Sequence, residues 1–374
     1  MNTRLLCMLL SAAIVGFTAS GCSDQLDLEN ASIPLAIGMD LDNEDKFHFY
    51  STAPVFSKNI KKKSQEISGT APSLRQSRAK QDAHTVGVAQ GRNFQVILVG
   101  KRMLKHEGWV RMLDVIYRDP RNTQTDRVIA VDGSVSEIIH LNPPDQPLLP
   151  VLLRGMIDTK SARSETVKTT ALELHRQIYE KGITPYISEV KISNKNVFLS
   201  GTALLHNNGR YAASLGAQET ILLSILQKNA KPGVSLSFHI PGEPKTGPFD
   251  TDMLNFSTRR TSTKIKTSCH HSKFQFDIKI KMVVSLSEHL FPYDIAKHGE
   301  ALEHKVSKLA QAQFESLIQT IQKHRIDPIG LGLYARAHEF REYKKVEEHW
   351  GDALANADMK ISVAITFGAM GPVK

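Results

Sequence analysis

The segment at residues 273–284 constrains the fold more than any other, because its side chains alternate between apolar and polar. Its apolar positions are Phe274, Phe276, Ile278, Ile280, Met282 and Val284, and its polar positions are Lys273, Gln275, Asp277, Lys279 and Lys281. Successive side chains of a strand point to opposite faces of its sheet. The pattern therefore predicts a strand with one basic face in water and one apolar face that another element must cover.

A long helix is predicted to supply that cover. Between residues 294 and 323, mostly apolar side chains recur in a single stripe at helical spacing. The stripe consists of Leu302, Val306, Leu309, Gln313, Leu317 and Ile321. At 1.5 Å per residue the helix would be roughly 45 Å long, so we expect it to pack across a sheet. A closing strand is predicted over residues 359–368, where apolar and polar residues alternate again.

The preceding part of the chain interleaves short strands with helices. Alternating or continuous apolar runs predict strands at residues 46–50, 94–100 and 127–131. The dipeptide Asn208-Gly209, with apolar residues on both sides, predicts a hairpin, because this pair supplies the positive φ angles of a tight turn.

Helices are predicted in two further places. Val167, Ala171, Leu174 and Ile178 recur at helical spacing, with Gly182 as the expected C-cap. Residues 57–80 are predicted as an exposed loop in their first half and the start of a helix in their second, and the four prolines of residues 140–150 are expected to break regular structure. The sequence thus predicts an α+β fold, with mixed, mostly antiparallel sheets, packed helices and two to three domains.

The N-terminus has the composition of an export signal. Arg4 precedes an uncharged apolar run, residues 5–19, and the small residues 19–21 lead directly to Cys22. The run is shorter than the roughly 20 apolar residues of a spanning helix. Cys22 has four interpretations: a packed residue, a metal ligand, half of a disulfide, or the lipidated cysteine of a bacterial lipobox. The pattern favours the lipobox, with residues 1–21 removed as a lipoprotein signal peptide, over an ordinary secretory signal.

Lipidation of Cys22 determines what the other cysteines can do. Cys7 would leave with the signal, so Cys269 would be the remaining free thiol and no internal disulfide could form. Two acyl chains, at about 0.8 kcal/mol per buried methylene, hold a protein on a bilayer. The formal net charge of +9 is consistent with an anionic lipid surface or with a solvated basic face. No nucleic-acid motif accompanies it, so we predict no nucleic-acid partner.

The sequence does not favour an enzyme. Ser77 and Lys80 form an S-x-x-K, and residues 245–247 form a K-T-G, as in serine β-lactamases and penicillin-binding proteins. The third element of those enzymes is missing, and Pro244 and Pro248 flank the K-T-G. Consecutive strand residues point in alternating directions, so Cys269, His270 and His271 are not expected to reach one ion. No catalytic residue, metal or cofactor is predicted.

Four segments resemble the successive signatures of one family. They are "GCSDQLDLENASIPLAIGMD", "GKRMLKHEGWVRMLDVIYRDPR", "GTALLHNNGRYAASLGAQET" and "RIDPIGLGLYARAHEFREYKKVEEHWGDALANADMKISVAITFGAMG". The chain resembles the Ger(x)C family, the lipoprotein C subunits of spore germinant receptors. The matching positions are Cys22, Asp24, Gly38, Asp40, Arg118, Asp119, Pro120, Gly201, Ala203, Leu204, Asp327, Gly330, Gly332, Trp350 and Gly371. Ser23 and Arg121 depart from the family pattern.

This resemblance implies a non-catalytic subunit, anchored through lipid on Cys22 at the outer face of the inner spore membrane. Its expected partners are the polytopic A and B subunits of the receptor. The resemblance also implies an N-terminal domain at residues 22–198 and a C-terminal domain at residues 199–374.

Two motifs and one alternative function stay open. Arg118, Asp119 and Pro120 are interpreted either as an ion pair that fixes a turn or as a contact with a partner. Asp327 and Trp350 are likewise a partner or structural motif. The alternative function is a solute-binding lipoprotein that captures a small nutrient in a cleft between domains. The sequence has no cluster of aromatic residues and so gives no strong sign of such a cleft. Direct nutrient binding is left undecided.

Overall fold

The computed structural model describes residues 31–56, 61–85, 88–89, 93–141 and 145–368. The predicted signal peptide and Cys22 lie outside these residues, as do Asp24 and Gly371. The prolines at 143 and 144 are outside them too, and Pro150 stands in the first turn of a helix that begins at Leu149.

Fourteen strands form three sheets in the described part of the chain. The strands are β1 (Ala31–Ser32), β2 (Ala36–Leu41), β3 (Phe47–Pro54), β4 (Ser64–Thr70), β5 (Val88–Ala89), β6 (Val96–Gly100), β7 (Arg127–Asp132), β8 (Tyr186–Ser193), β9 (Asn196–Leu205), β10 (Tyr211–Leu215), β11 (Ser235–His239), β12 (Met253–His270), β13 (Lys273–His289) and β14 (Asp358–Phe367). The largest sheet has the order β10-β9-β8-β7-β6-β2-β3-β4, the second has the order β11-β12-β13-β14, and β1 pairs with β5.

Eleven α-helices connect and cover these strands in the same described residues. They are α1 (Leu74–Asp82), α2 (Lys101–Lys105), α3 (Asp114–Tyr117), α4 (Val135–Ile139), α5 (Leu149–Ser161), α6 (Ala171–Tyr179), α7 (Ala217–Leu226), α8 (Ile295–Lys323), α9 (Leu331–His338), α10 (Phe340–Val346) and α11 (Trp350–Ala355). Short 3-10 turns at Trp109–Leu113 and Glu347–His349 lead into α3 and α11.

The eight-stranded sheet is mixed. Its central strands β2, β6, β7 and β8 are parallel neighbours, whereas the outer pairs are antiparallel. Helices cover both faces, because the parallel connections from β6 to β7 and from β7 to β8 need crossovers. The apolar side chains of α2, α3 and α6 pack on one face of the sheet, and those of α4 and α5 pack on the other.

The second domain is built as its sequence pattern predicts. In β13, the residues from Phe274 to Val284 alternate between buried and exposed along the strand, and β12 pairs with it in a long antiparallel hairpin. The α8 helix follows its N-cap, Asp294, close to the predicted start of the helix, and packs over β11 and β14. The closing strand β14 joins β13 in parallel register, with Ile361 beside Ile278.

The buried stripe of α8 differs in part from the predicted one. Phe314 and Ala310 are fully buried at its centre, and Leu302, Val306 and Ile321 are buried as expected. Leu309 is only partly buried at the edge of the core, and Gln313 is half-buried. Val306, Ala310 and Phe314 follow one another at steps of four, whereas the predicted stripe takes a step of three from Val306, which places Leu309 and Gln313 at the edge of the buried face.

Two local predictions in the N-terminal half are wrong. Residues 64–70, which span the end of the expected loop and the start of the expected helix, form the edge strand β4, whose polar residues suit an edge with one face in water. The helix predicted from Val167 begins only at Ala171, because the Oγ1 of Thr170 caps it by accepting from the N–H of Glu173. Its C-cap is Glu180 rather than Gly182. The helix predicted after the loop is present as α1.

The connection between the two sheets runs through β9, β10 and α7. The boundary predicted between residues 198 and 199 falls within β9, which lies in the first sheet with β10. The α7 helix is buried from Thr220 to Leu226 and belongs to the core of the second domain. The predicted hairpin at Asn208-Gly209 joins β9 to β10.

Candidate functional site

Asp327 is the most fully buried carboxyl group of the predicted site residues. It lies between α8 and α9, and its side chain accepts hydrogen bonds from the N–H groups of Gly330 (2.8 Å), Leu331 (3.0 Å) and Gly332 (2.7 Å). These are the free N–H groups that open a helix, so the carboxylate caps α9. Gly330 has a φ of +85°, a conformation that suits glycine and lets the chain fold back around the carboxylate.

Trp350 completes the surroundings of this carboxylate. Its Nε1 donates to Asp327 Oδ2 at 2.8 Å. The indole ring packs at close range against Phe274, Phe276 and Tyr343. Trp350 therefore ties the start of α11 both to the buried face of β13 and to the cap of α9.

Asp327 also joins the two domains. The N–H of Asp327 donates to Thr184 Oγ1 at 2.9 Å, and the N–H of Thr184 donates to the Asp327 carbonyl oxygen at 2.8 Å. Next to this exchange, a Cβ on Gly332 would lie 2.8 Å from the Cα of Gly182. The two glycines thus allow the backbones of the two domains to touch, which explains Gly182 better than a helix cap does.

The electrostatics of Asp327 indicate a structural role. Burial raises the pKa of its carboxyl group above the ordinary value, while the hydrogen bonds from Trp350 and from the N–H groups of α9 lower it. Four donors of the protein surround this fully buried carboxylate. The group is a junction between helix, sheet and neighbouring domain, not an open acid or base.

Arg118 and Asp119, which the sequence analysis pairs with each other, have separate partners. Arg118 Nε donates to Asp114 Oδ2 at 2.6 Å, one helical turn earlier. Asp119 and Arg121 form a bidentate ion pair, with Nε of Arg121 2.9 Å from Oδ1 and Nη2 3.0 Å from Oδ2 of Asp119. The turn is thus fixed by Asp119 with Arg121, and the Arg118 side chain, 79% exposed, lies at the surface.

These residues line a surface groove of about 630 Å³, which we call the arginine groove. Its basic members are Arg75, Arg111, Arg118 and Arg121, and its other lining residues are Ser73, Leu74, Met112, Asp114, Val115, Asp119 and Pro120. Within the described part of the chain, neither Arg75 nor Arg111 has an acidic partner at ion-pair distance. The groove therefore combines an apolar floor with an excess of positive charge.

Arg118, Asp119 and Pro120 were predictable from the sequence, whereas Arg75 and Arg111 were not predicted. Arg75 lies in the first turn of α1, far from the motif in sequence, and no pattern connects the two. Arg111 stands only a few residues before the motif, so a count of basic residues in this segment could have found it.

A second, polar cleft of about 620 Å³ lies between the domains. Three of its hydroxyl groups already donate within the protein: Thr166 to the Gly201 carbonyl, Thr169 to the Tyr186 carbonyl and Ser224 to the Ile221 carbonyl. Tyr186 is its single aromatic lining residue. The cleft offers few free polar groups to a solute.

The acyl-enzyme motifs do not form a nucleophile and base pair. Ser77 is fully buried in α1 and donates to the Leu74 carbonyl at 2.7 Å, while the Lys80 ammonium group bonds the Thr70 carbonyl. The K-T-G lies in the loop after β11. Activation of a serine requires a base within hydrogen-bond reach of an accessible hydroxyl group, and Ser77 is not accessible.

Cys269 and His270 end β12, and His271 stands in the following turn with a φ of +49°. No group of three His, Cys, Asp or Glu side chains within the described ranges could hold a metal ion. Among the helices that the structure describes, none is both long and apolar enough to cross a bilayer.

Two family models match the chain in succession. "Spore germination protein N-terminal domain" matches residues 24–192, and "Spore germination B3/ GerAC like, C-terminal" matches residues 200–371. Spore germination protein A3 of Bacillus subtilis (strain 168) is 20% identical over 391 residues, covering 100% of both chains.

The fold also has a solved counterpart. The crystal structure of the GerBC protein matches 89% of this chain and 97% of its own, with a TM-score of 0.59 and 17% identity. The two family models together match most of the chain, so the chain belongs to the Ger(x)C family of spore germination proteins.

Proposed function

We propose that this protein is a lipid-anchored, non-catalytic subunit of a germinant receptor complex that acts in spore germination. The observation that carries the proposal is the match of both spore germination models, in order, along almost the whole chain. The buried and internally bonded state of Ser77 and Asp327 supports an interaction protein, because neither group is free to react.

The anchor in this proposal is Cys22, lipidated after removal of residues 1–21. The first described strand begins at Ala31, so at most about 30 Å of extended chain separates Cys22 from the folded body. A tether of this length keeps the body close to the membrane, which we take to be the inner spore membrane at its outer face.

The proposed partners are the membrane-embedded A and B subunits of the receptor, and the proposed contact is the arginine groove. An apolar floor with surplus arginines suits an acidic segment of a partner, because a guanidinium group bonds a carboxylate through two parallel N–H donors. Arg118, Asp119 and Pro120 contribute to this surface. Asp327 and Trp350, being buried, would act by holding the domains in one arrangement.

The test is co-purification from spore membranes that carry the tagged full-length chain. The A and B subunits should be recovered with it, and Cys22→Ala should move the protein into the fraction that a salt wash releases. Cys269→Ala is the matched control and should stay with the membrane. Recovery of the tagged chain without either subunit would contradict the receptor assignment, and retention of the Cys22→Ala protein in the washed membrane would contradict the anchor.

A further inference from the structure

The eight-stranded sheet contains a point where its connections diverge. Strands β2 and β6 are parallel neighbours, with Ala36 beside Val96 and Met39 beside Val99. From its carboxyl end, β2 continues to β3 on one side, whereas β6 leads to β7 on the other. In open sheets with parallel strands, the divergence of neighbouring connections leaves a crevice outside the carboxyl ends, where ligands commonly bind.

A crevice of about 510 Å³ is present at this point, and we call it the switch-point crevice. Its walls come from the carboxyl ends of three strands: Asp40 is the last but one residue of β2, Lys101 follows β6, and Gly133 and Ser134 follow β7. The remaining lining residues are Leu41, Asp42, Asn43, His48, Tyr50, Arg102 and Lys105. This volume lies in the range of small-molecule sites, about 300 to 1,000 Å³.

The acidic groups of the switch-point crevice are already satisfied by the protein. Asp40 accepts from the N–H groups of Leu41 (2.9 Å) and Val135 (3.2 Å). Its carboxylate also packs against Gly100, where a Cβ would lie only 2.0 Å from Asp40 Oδ1. Asp42 accepts from the N–H of Glu44 at 2.8 Å and lies 2.8 Å from His48 Nε2.

The cationic groups are not satisfied to the same degree. Lys101 pairs with Asp132 at 3.0 Å and Glu189 at 3.6 Å. Arg102 uses one nitrogen to bond Asn43 Oδ1 and has no carboxylate at ion-pair distance, and Lys105 has no acidic partner, among the residues that the structure describes. These two residues are three positions apart on α2 and therefore share one side of it.

We propose that the switch-point crevice binds a small anion, a carboxylate or a phosphate, held between Arg102 and Lys105. The guanidinium group would donate to two oxygens of the anion, and the ammonium group would donate a further hydrogen bond to one of its oxygens. Both interactions are charge-assisted hydrogen bonds. Backbone N–H groups and His48 occupy acceptor positions of Asp40 and Asp42. Asp40 attracts Arg102 only from beyond ion-pair distance, so the guanidinium group keeps donors for an anion.

The experiment is calorimetric titration of the detergent-solubilised full-length chain with sodium succinate and, separately, with inorganic phosphate, at ionic strength held constant with sodium chloride. Saturable binding of at least one probe is expected. Heat from succinate alone identifies a carboxylate site, and heat from phosphate identifies a phosphate site. If neither probe binds saturably, the proposal is wrong.

Two variants test the position of the anion. Arg102→Gln and Lys105→Gln should each weaken binding about 10-fold, since a charge-assisted hydrogen bond contributes about 1.5 kcal/mol. Arg260→Gln, a change of the same kind at an exposed position of β12 outside both the crevice and the arginine groove, should leave the affinity unchanged. Without ligand, the Arg102 and Lys105 variants should have the melting temperature of the wild type, because both side chains are exposed. Unaltered binding by the Arg102→Gln, Lys105→Gln double variant would overturn the assignment.

Discussion

Thr184 and Asp327 exchange two hydrogen bonds across the boundary between the domains, at 2.9 Å and 2.8 Å. Both residues are buried, so water cannot replace these bonds when they break. The strand that begins at Tyr186 and the helix that begins at Leu331 are therefore positioned by the same pair of hydrogen bonds. A hinge between the domains at this point would be costly, so we expect the protein to move as one body.

Removing the indole donor of Trp350 should destabilise the fold. Trp350→Phe keeps a large aromatic ring but leaves Asp327 with one donor fewer, which should lower the free energy of unfolding by about 1.5 to 3 kcal/mol. Trp109→Phe is the matched control, because Trp109 Nε1 donates at 2.7 Å to a neutral acceptor, the Gly209 carbonyl. Urea unfolding should rank the loss for Trp350 above that for Trp109; the opposite order would refute the charged junction.

The contact between Gly182 and Gly332 predicts that a larger side chain at Gly332 is destabilising. Gly332→Ala places a Cβ 2.8 Å from both Gly182 Cα and Trp350 Nε1, so the backbones must separate. A loss of about 1 to 3 kcal/mol or more is expected, measured by thermal unfolding.

Gly155→Ala is the control for that change. This glycine is exposed within α5 and a Cβ there meets nothing within 4 Å, so helix propensity should raise stability by about 0.5 to 1 kcal/mol. Equal melting temperatures for Gly332→Ala and the wild type would show that the domains are not in contact there.

The long helix α8 predicts a graded loss of stability. Phe314 is fully buried, and Phe314→Ala should cost about 3 to 5 kcal/mol because a cavity remains. Leu309 is partly buried, so Leu309→Ala should cost about 1 kcal/mol. If Leu309→Ala unfolds like the wild type yet fails to recover the A and B subunits, that edge of α8 is a partner surface rather than scaffold.

Asp126 predicts a dependence of stability on pH. It is fully buried, and no other described residue donates a hydrogen bond to its carboxylate. Burial raises the pKa of Asp126 to about 6, against the opposing effects of its own backbone N–H and of the charges of Arg154 and Arg127. Between the ordinary value of 3.8 and about 6 the folded state binds more protons than the unfolded state, so stability falls as pH rises through this interval.

Asp126→Asn removes that titration. Relative to the wild type, the variant should become more stable by about 2 to 3 kcal/mol on going from pH 4 to pH 7, as measured by urea unfolding at both values. Asp145→Asn, at an exposed position, is expected to follow the wild type at both. A constant difference between Asp126→Asn and the wild type would mean that Asp126 ionises normally in the fold.

Charge reversal in the arginine groove tests the proposed partner contact. Arg75→Glu and Arg111→Glu together should abolish recovery of the A and B subunits while the melting temperature stays unchanged, because both side chains are exposed. Lys264→Glu with Lys266→Glu, on the exposed side of β12, makes the same change in net charge elsewhere. Loss of the partners in both double variants would indicate nonspecific attraction instead.

Elements whose two faces meet different surroundings were predictable from the sequence. The strand β13 and the helix α8 each have one buried and one wet face, and their periods show it directly. The edge strand β4 has few apolar residues to alternate, so its segment resembles a loop. The parallel order of β2, β6, β7 and β8 depends on pairing between distant segments, which no local pattern records.

The site was predictable in its residues but not in its contacts. The family resemblance singled out Asp327 and Trp350, yet their hydrogen bond and the exchange with Thr184 join residues far apart in the sequence. Arg118 and Asp119 suggested a pair because they are adjacent. Neighbours on a helical turn do not face each other, whereas residues four apart do, which is why Arg118 pairs with Asp114.

The parallel pairing of β14 with β13 has a consequence for how the chain folds. β13 lies inside its sheet, and one of its two neighbours, β14, follows it in the chain only after α8 and three shorter helices. Until β14 arrives, the hairpin of β12 and β13 has an open edge. Contacts so distant in sequence form slowly. The second domain should therefore complete its folding only after β14 has left the ribosome, and loss of that strand should leave an aggregation-prone intermediate.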